Sequence, residues 1–296
     1  MNYFQSLRTA ASFAAAALFI ASASPLAHAT PIPEDAKIGG FAIGAQAYTF
    51  NRFTVFEAIE KTEQAGGKVI EFFPGQRVSA DMPGAKWDHD ASDEVVAKVK
   101  EKLAKHKVRA VNYGVVGIPK DEAGARKIFE FAKKMELYGI TTESVDAIDT
   151  IDKLVKEYDI RVGYHEHGRN ASDPNYKVWD PKFIAELVKN RDPRVGACAD
   201  IGHWQTSGMV ALDCMKILSG RIISMHMKDR PALGPGQHDV VFGSGITDIG
   251  AVLEELKHQK FDGNISIEYE YNWDHSVGDV GQCIGFVRGW TASHSK

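Results

Sequence analysis

Eight short apolar runs alternate with eight helix-like segments, and this alternation constrains the fold of the chain more than any other feature of its sequence. The runs have the character of buried strands and lie at residues 41–50, 68–76, 108–117, 137–144, 160–168, 195–203, 222–229 and 265–270. The other segments have the periodicity of amphipathic helices and lie at residues 53–67, 93–107, 121–137, 147–159, 180–193, 209–220, 246–261 and 277–292. Strict alternation predicts a parallel sheet, because a helix has to carry the chain back between neighbouring parallel strands.

Eight strand–helix units without a break in composition predict one α/β domain. Their number and a length of about 250 residues fit a (β/α)8 TIM barrel, with a doubly wound open sheet as the alternative. The longest irregular stretch, residues 78–94, follows the second strand. We therefore expect it at the carboxyl ends of the strands, as a lid or rim of a site.

Residues 1–29 predict a cleavable secretory signal peptide. Arg8 supplies the positive charge, residues 11–23 form a short apolar stretch, and Ala27-His28-Ala29 is an A-x-A cleavage signal. An uncleaved anchor is the alternative. Cleavage would leave residues 30–296 as a single barrel domain, exported to the periplasm and free of the membrane, since no other long apolar run exists.

Charge and cysteine content exclude some classes of protein. The chain has 35 Lys and Arg against 39 Asp and Glu, a net charge of −4, and loss of Arg8 makes it one unit more negative. No basic footprint for nucleic acid is present. Cys198, Cys214 and Cys283 are odd in number and widely spaced, so we interpret them as small buried side chains.

Four side chains of the kinds that bind metals stand at the ends of four separate predicted strands: Glu143, Asp200, His226 and Glu268. The carboxyl ends of parallel strands meet on one face, so these side chains would converge there. Three carboxylates and one imidazole suit Mg²⁺, Mn²⁺ or Zn²⁺. The ordinary alternatives are helix caps for Glu143 and Asp200 and a hydrogen-bonded core histidine for His226.

Further polar side chains share strand faces near these ends. His165 and His167 lie two residues apart, so both face one side of their strand, whereas Glu166 would point outward to the helices. Glu268 and Glu270 are related in the same way. The two histidines are candidates for a metal ligand, an acid or base, or a substrate contact.

Several segments together resemble one family of proteins: ITTES, GYHEHG, CADIGHW, ISMHMKD, FGSGITDIGAVLEEL and FDGNISIEYE. They resemble the xylose-isomerase-like barrel superfamily, often described as the sugar phosphate isomerase/epimerase family. The resemblance covers residues 38–290. The combination of D-x-x-H, H-x-K-D, G-x-G before the last but one helix and the I-x-I-E-x-E ending is specific for the superfamily but not for a substrate.

This resemblance implies that Asp200, His226 and Glu268 are three metal ligands. Many epimerases of the family take a fourth ligand, a glutamate, from the fifth strand, where this chain has His165. The departure favours Glu143 as the remaining carboxylate, with His165 as the alternative.

A site of this kind predicts proton transfer beside a sugar carbonyl. The cation would coordinate the carbonyl and a neighbouring hydroxyl and stabilise the enediolate that forms on loss of the proton. Glu143 and Glu268 are the candidate bases, and His165, His167 and Lys228 are candidates for acid, base or oxyanion stabiliser. Return of the proton gives isomerisation or epimerisation, whereas loss of a β-substituent gives elimination.

Aromatic and polar side chains near the strand ends fit a sugar pocket. The candidate contacts with the sugar are Gln46, Tyr48, Glu71, His167, His203, Trp204 and Glu270, followed by Phe50, Phe73, Asn112, Arg230, Tyr271 and Trp273. Ordinary packing is the alternative for each aromatic residue. The G-S-G at residues 243–245, just before a helix, could cradle an anion.

The leading hypothesis is therefore a metal-dependent sugar isomerase or epimerase that acts on a small-molecule sugar. Export favours an unphosphorylated sugar, because phosphorylated sugars are mainly cytoplasmic. The alternatives are a metal-dependent lyase or hydratase of a keto-sugar or keto-glycoside, a non-catalytic sugar-binding barrel, and a nuclease, which the negative charge argues against. Assembly into a homo-oligomer is left open.

Overall fold

Eight parallel strands form a closed barrel in the structure, a computed structural model that describes residues 31–294. The predicted signal peptide at residues 1–29 lies outside the described residues. The barrel strands are Ala42–Gln46 (β1), Val69–Phe72 (β2), Arg109–Tyr113 (β3), Gly139–Thr142 (β4), Arg161–His165 (β5), Val195–Asp200 (β6), Ile222–Met227 (β7) and Asn264–Ile267 (β8). Each pairs with its neighbour in chain order, and β8 pairs with β1. The prediction of a (β/α)8 barrel is confirmed, and the open sheet is excluded.

Helices surround the barrel between the strands. They are Val55–Gln64 (α1), Asp93–His106 (α2), Glu122–Lys134 (α3), Ile148–Tyr158 (α4), Pro181–Val188 (α5), Ile201–Thr206 (α6), Ala211–Ile217 (α7), Ile249–His258 (α8) and Val277–Ser293 (α9). Side chains in the sequence fix where several of them begin. Thr54 and Glu57 form a capping box at α1, and the carboxylates of Asp121 and Asp248 accept backbone N–H bonds at α3 and α8.

Two local features differ from the expected pattern. The predicted strand at residues 195–203 ends at Asp200, and α6 follows at once, because an Asp200 oxygen accepts the N–H of His203 at 2.8 Å and so caps a helix. The stretch at 78–94 is also more ordered than expected. The short strands Gln76–Arg77 and Lys86–Trp87 pair there, and Trp87 is buried against Phe72.

The core follows the predicted apolar runs. Ile43, Ile70, Val162 and Ile265 on the barrel strands are fully buried. All three cysteines are free and buried, as expected for small apolar side chains. Within residues 31–294 no helix has the length and apolar character that a bilayer crossing requires.

Candidate active site

Side chains from β5, β6 and β8 converge at the carboxyl end of the barrel. One ligand-type atom from each of His165, Asp200, His203 and Glu268 lies within 4.8 Å of all the others. Three of these residues are buried, and His203 is half-buried. Parallel strands bring them together because each stands at or just beyond a strand end. Two of the four predicted ligands, Asp200 and Glu268, are in this group.

Asp200 serves two purposes with its two oxygens. Oδ1 accepts the backbone N–H of His203 and caps α6. Oδ2 is buried and lies 3.0 Å from Lys228 Nζ and 3.5 Å from His165 Nε2. Asp200 can therefore cap α6 with one oxygen and take part in the site with the other.

His226 lies at the edge of the same group. Its Nδ1 is 3.7 Å from Asp200 Oδ2 and 3.3 Å from Glu268 Oε2. The side chain is fully buried among carboxylates. His226 borders the cluster but is not one of the four residues whose ligand-type atoms all lie within 4.8 Å of one another, and its role as a metal ligand stays a prediction.

The donor atoms fit a divalent cation. Ligands about 2.1 Å from a tetrahedral ion lie about 3.4 Å from one another, and separations of 3.3 to 3.8 Å join Asp200 Oδ2 or Glu268 Oε2 to the neighbouring imidazole nitrogens. Charged or ionisable groups surround these atoms: Lys228 Nζ is 3.0 Å from Asp200 Oδ2, and Glu71 Oε1 is 3.1 Å from His226 Nε2. The separations between the carboxylate oxygens and the imidazole nitrogens are compatible with a cation site.

Glu143 lies outside this cluster and contacts His165. Its Oε1 accepts a hydrogen bond from His165 Nδ1 at 2.9 Å, and its Oε2 accepts one from the Tyr176 hydroxyl at 2.7 Å. A carboxylate in this position holds a ligand histidine with its other nitrogen toward the metal. The geometry favours His165 over Glu143 as the ligand, and a helix cap for Glu143 is not observed.

A second carboxylate, Glu71, lies beneath His226. Its Oε1 is 3.1 Å from His226 Nε2, on the side of the ring that faces away from the cluster. Thr141 and Ser266 donate hydrogen bonds to Glu71 at 2.9 and 2.6 Å. Glu71 is fully buried and does not line the pocket. The predicted contact with a sugar hydroxyl is therefore corrected to a supporting position below the site.

Lys228 adds a buried positive charge beside the carboxylates. Its Nζ lies 3.0 Å from Asp200 Oδ2, 2.6 Å from Glu268 Oε2 and 2.8 Å from Glu270 Oε2. Burial opposes its charge, but these carboxylates outweigh burial and raise the Lys228 pKa well above its ordinary value. The three carboxylate contacts favour the ammonium form of Lys228, which suits the predicted role of oxyanion stabiliser.

The surroundings shift the pKa values of the other ionisable groups of the site in different directions. Burial raises the pKa of Glu268, but Lys228 and His226 outweigh it and leave that pKa below its ordinary value. Burial opposes protonation of His165, but Asp200 and Glu143 outweigh it and raise the His165 pKa to about 10. Burial lowers the pKa of His203 well below its ordinary value, so this imidazole is neutral.

A cavity of about 300 Å³ opens above the cluster. Its lining includes most of the predicted site residues: Gln46, Tyr48, Glu143, His165, His167, His203, Glu268 and Glu270, together with Phe73, Pro74 and Val115. Larger cavities lie elsewhere on residues 31–294. One of about 320 Å³ lies between α5 and α7, away from the cluster, and those of about 540 and 370 Å³ lie by Lys68, Arg109 and Ile160, at the opposite end of the barrel. That end stabilises such barrels, so the chemistry belongs to the smaller cavity.

Two predicted residues are buried away from this cavity. Trp204 is fully buried on α6 and is not part of the pocket lining, so its predicted contact with sugar is wrong, because D-x-x-H places it on the core side of a helix. Glu166 is also fully buried and points away from the pocket, as the alternation along its strand predicted.

The G-S-G segment already holds a carboxylate of the chain itself. Asp229 is fully buried. Its oxygens accept the N–H groups of Gly243 at 3.1 Å, Gly245 at 2.9 Å and Thr247 at 3.1 Å. A side chain at Gly245 would clash with Asp229, since an added Cβ would lie 2.2 Å from its Oδ1. The backbone N–H groups of the predicted anion site therefore already bind the Asp229 carboxylate, and the segment offers no site to an external anion.

Replacement of Asp229 by alanine should destabilise the protein. Four backbone N–H groups, those of Arg230, Gly243, Gly245 and Thr247, would lose their acceptor, and leaving a buried donor unpaired costs about 1–3 kcal/mol. We expect the free energy of unfolding to fall by about 2–4 kcal/mol in urea titrations, with a smaller loss in Asp229→Asn, which keeps one carbonyl oxygen. Equal stability of Asp229→Ala and the parent protein would contradict this account of the loop.

Two residues of the site were not found from the sequence. Tyr176 donates to Glu143 from a polar loop without periodicity. Asp239 lies 3.1 Å from Arg230 Nε and accepts the backbone N–H of Glu270 at 2.7 Å, while burial raises its pKa to about 6. Neither residue carries a motif, and only the folded loops bring them to the site.

Comparisons with known proteins agree with the barrel fold. A family profile described as the xylose isomerase-like TIM barrel matches residues 139–288, just over half of the chain. An uncharacterised protein of Methanocaldococcus jannaschii is 28% identical over 133 residues, which are 44% of this chain and 43% of that protein. The match thus spans less than half the length of this relative.

Solved structures extend the similarity over most of the chain. An uncharacterised protein from Parabacteroides distasonis is 30% identical, with a TM-score of 0.67 over 84% of this chain and 99% of that one. A D-allulose 3-epimerase from Methylomonas sp. is 16% identical, with a TM-score of 0.62 over 84% and 97%. A xylose isomerase-like barrel from Mycobacterium smegmatis, in complex with magnesium, is 12% identical, with a TM-score of 0.63 over 80% and 88%. At such identities the last two show the fold alone.

Proposed function

This chain belongs to the xylose isomerase-like TIM barrel family, and we propose that it is a metal-dependent sugar isomerase or epimerase. The observation that carries the proposal is the convergence of His165, Asp200, His203 and Glu268 on one point below a pocket of about 300 Å³. Carboxylates and imidazoles grouped at the carboxyl ends of barrel strands are the usual position of catalytic groups in this fold.

The ligands of the proposed cation are Asp200 and Glu268, with nitrogen donors from His165, His203 and His226. A divalent cation held there would supply positive charge beside the carbonyl and hydroxyl oxygens of a sugar. A mixture of oxygen and nitrogen donors suits Mn²⁺ or Zn²⁺ better than Mg²⁺, which prefers oxygen ligands and bound water. Glu143 is not a ligand in this assignment; it holds His165 through a hydrogen bond and also lines the pocket.

Two carboxylates reach the pocket from opposite sides. Glu143 follows β4 and Glu268 follows β8, and these strands are four places apart in a ring of eight. A sugar between them would present one face to each. Glu268 or Glu143 would take the proton from the carbon beside the carbonyl, and the other could return it to the opposite face. The Lys228 ammonium, which contacts Glu268, supports negative charge on the oxygens.

The proposed substrate is an unphosphorylated sugar. Barrels of this kind often bind phosphate in the loops after the seventh and eighth strands and at a nearby helix N-terminus. Here three N–H groups of the loop after β7, those of Gly243, Gly245 and Thr247, already donate to Asp229. The proposed export to the periplasm, based on the signal-like residues 1–29, agrees with this choice.

Solvent hydrogen exchange tests the proposed reaction. The purified protein, loaded with Mn²⁺ or Zn²⁺, is incubated in D₂O with a panel of unphosphorylated ketohexoses, aldohexoses and keto-glycosides, and the products are identified by NMR. We expect deuterium at the carbon beside the carbonyl and a product with all its oxygens. An unsaturated product would instead support the lyase alternative, and no reaction with any member would contradict an enzyme of this class.

The buried Glu71 should strengthen metal binding through His226. Loss of a carboxylate behind a ligand histidine typically weakens metal affinity about 10- to 100-fold. We expect Glu71→Gln to show such a loss for Mn²⁺ in titrations that follow the EPR signal of the free ion. Thr141→Val removes a hydrogen bond to Glu71 but keeps its charge, and should have a smaller effect. Unchanged affinity in Glu71→Gln would refute this role.

A further inference from the structure

Exposed aromatic rings gather on one side of the pocket mouth. Tyr48 and Tyr271 are 40% and 48% exposed, and they are the two aromatic residues among the exposed large hydrophobic side chains of the described chain. One follows β1 and the other follows β8, which are neighbours in the barrel. Exposed aromatic rings beside a cleft commonly bind ligands, because they offer a large apolar face at small entropic cost.

The rings form two groups beside the pocket mouth, together called the wall. Tyr48 and Phe73 line the pocket and meet edge to face, with centroids 5.3 Å apart. Trp273 also meets Tyr48 edge to face, at 5.9 Å, and Tyr271 packs separately on His238 at 4.1 Å. Trp273, Tyr271 and His238 are not part of the pocket lining. A ligand confined to the pocket would therefore leave half of the wall without contact.

Hydrogen bonds fix this wall to the barrel. The short helical turn Ala47–Phe50 carries Tyr48, and the Tyr48 N–H donates to Gln46 Oε1 at 2.7 Å. The Thr49 hydroxyl donates to the carbonyl of Ile267 at 3.2 Å and accepts the N–H of Tyr269 at 2.8 Å. These bonds join the turn after β1 to the end of β8. The part of the wall that Tyr48 forms is thus held in place, which lowers the entropic cost of binding there.

An exposed ion pair borders the wall and offers polar contacts. Arg52 Nη1 lies 2.5 Å from Asp274 Oδ2, and both side chains are more than half exposed. The pair joins the loop after β1 to the loop after β8. Guanidinium and carboxylate groups can donate to and accept from neighbouring hydroxyls. Apolar ring faces beside such groups match a sugar ring, which has C–H faces and a rim of hydroxyls.

We infer that this wall, made of Tyr48, Trp273, Tyr271 and His238, is an outer subsite for a second sugar ring. A pocket of about 300 Å³ is at the lower end of the range for small-molecule sites and holds one ring. The substrate is then an unphosphorylated disaccharide or glycoside, with one ring above the metal cluster and the next on the wall. This inference rests on the proposed function only in placing a sugar in the pocket.

Calorimetric titration tests the subsite without any need for turnover. Glucose, maltose and cellobiose are titrated into the full chain, with and without Mn²⁺. We expect maltose or cellobiose to bind at least tenfold more tightly than glucose. In Trp273→Ala and Tyr271→Ala this ratio should fall toward one, whereas Trp273→Phe should restore part of it. Trp290→Ala is the control, since Trp290 packs on Lys257 and His294 and should keep the full ratio.

Three results would overturn the subsite: equal binding of glucose and both disaccharides, a ratio that survives in the Trp273→Ala/Tyr271→Ala double variant, or no disaccharide binding at millimolar concentration. Failure of the proposed function gives a different result. Disaccharides would then bind through the wall while no sugar exchanges hydrogen with solvent, as in a sugar-binding barrel without turnover.

Discussion

Replacement of Glu268 by glutamine is expected to lower the rate of the proposed reaction by about 10²- to 10⁴-fold, the usual contribution of a positioned acid or base. Glu268 touches both Lys228 and His226 and lines the pocket. Glutamine keeps the size of the side chain but removes a carboxylate that serves as metal ligand and candidate base. We therefore expect metal content and solvent exchange to fall together, while the circular dichroism spectrum is unchanged.

Glu254→Gln is a matched control for this variant. Glu254 is an exposed glutamate on α8, so the same change of charge there should leave both rate and metal content as in the parent. His226→Ala should resemble Glu268→Gln. Retained activity in either variant after loss of the metal would refute a metal mechanism.

Replacement of Lys228 by methionine is expected to destabilise the metal-free protein by about 3–5 kcal/mol, because removing one partner of a buried ion pair leaves the other charge uncompensated. Lys228 is fully buried against Asp200, Glu268 and Glu270. Urea titrations of protein treated with a chelator measure the change.

An exposed lysine provides the control for this second variant. Lys216→Met, on the surface of α7, should change the free energy of unfolding by less than about 0.5 kcal/mol. A loss below about 1 kcal/mol in Lys228→Met would mean that the carboxylates do not depend on the ammonium. This comparison tests the charge interactions between Lys228 and the carboxylates, and it does not test catalysis.

The fold was predictable because its signal is periodic and repeated. Seven strands of the barrel fall within predicted apolar runs, and β8 begins one residue before the run at 265–270 and closes on β1 as eight units require. The ends of the strands and helices were less predictable, because single polar side chains determine where they lie. Asp200 turns the last residues of one apolar run into α6 through a single hydrogen bond. The pairing of Gln76–Arg77 with Lys86–Trp87 has too few residues to show a period.

The candidate site was predictable in position but not in detail. Strand ends identified Asp200, His226 and Glu268, and the structure brings all three together. Sequence could not decide between Glu143 and His165, because that choice depends on which atom of each faces the cluster. The hydrogen bond from His165 Nδ1 to Glu143 turns Nε2 toward Asp200. The spacing of residues along the sequence does not reveal a hydrogen bond of this kind between two strands.

We propose that the protein transfers a proton beside a sugar carbonyl and that this transfer depends on a divalent cation bound by Asp200 and Glu268. The most direct test of this claim is the rate of deuterium incorporation beside the carbonyl of a reactive sugar, measured by NMR in D₂O before and after chelation. We predict that incorporation stops in the chelated protein and returns on addition of Mn²⁺ or Zn²⁺. Incorporation at the same rate in metal-free protein would contradict the claim.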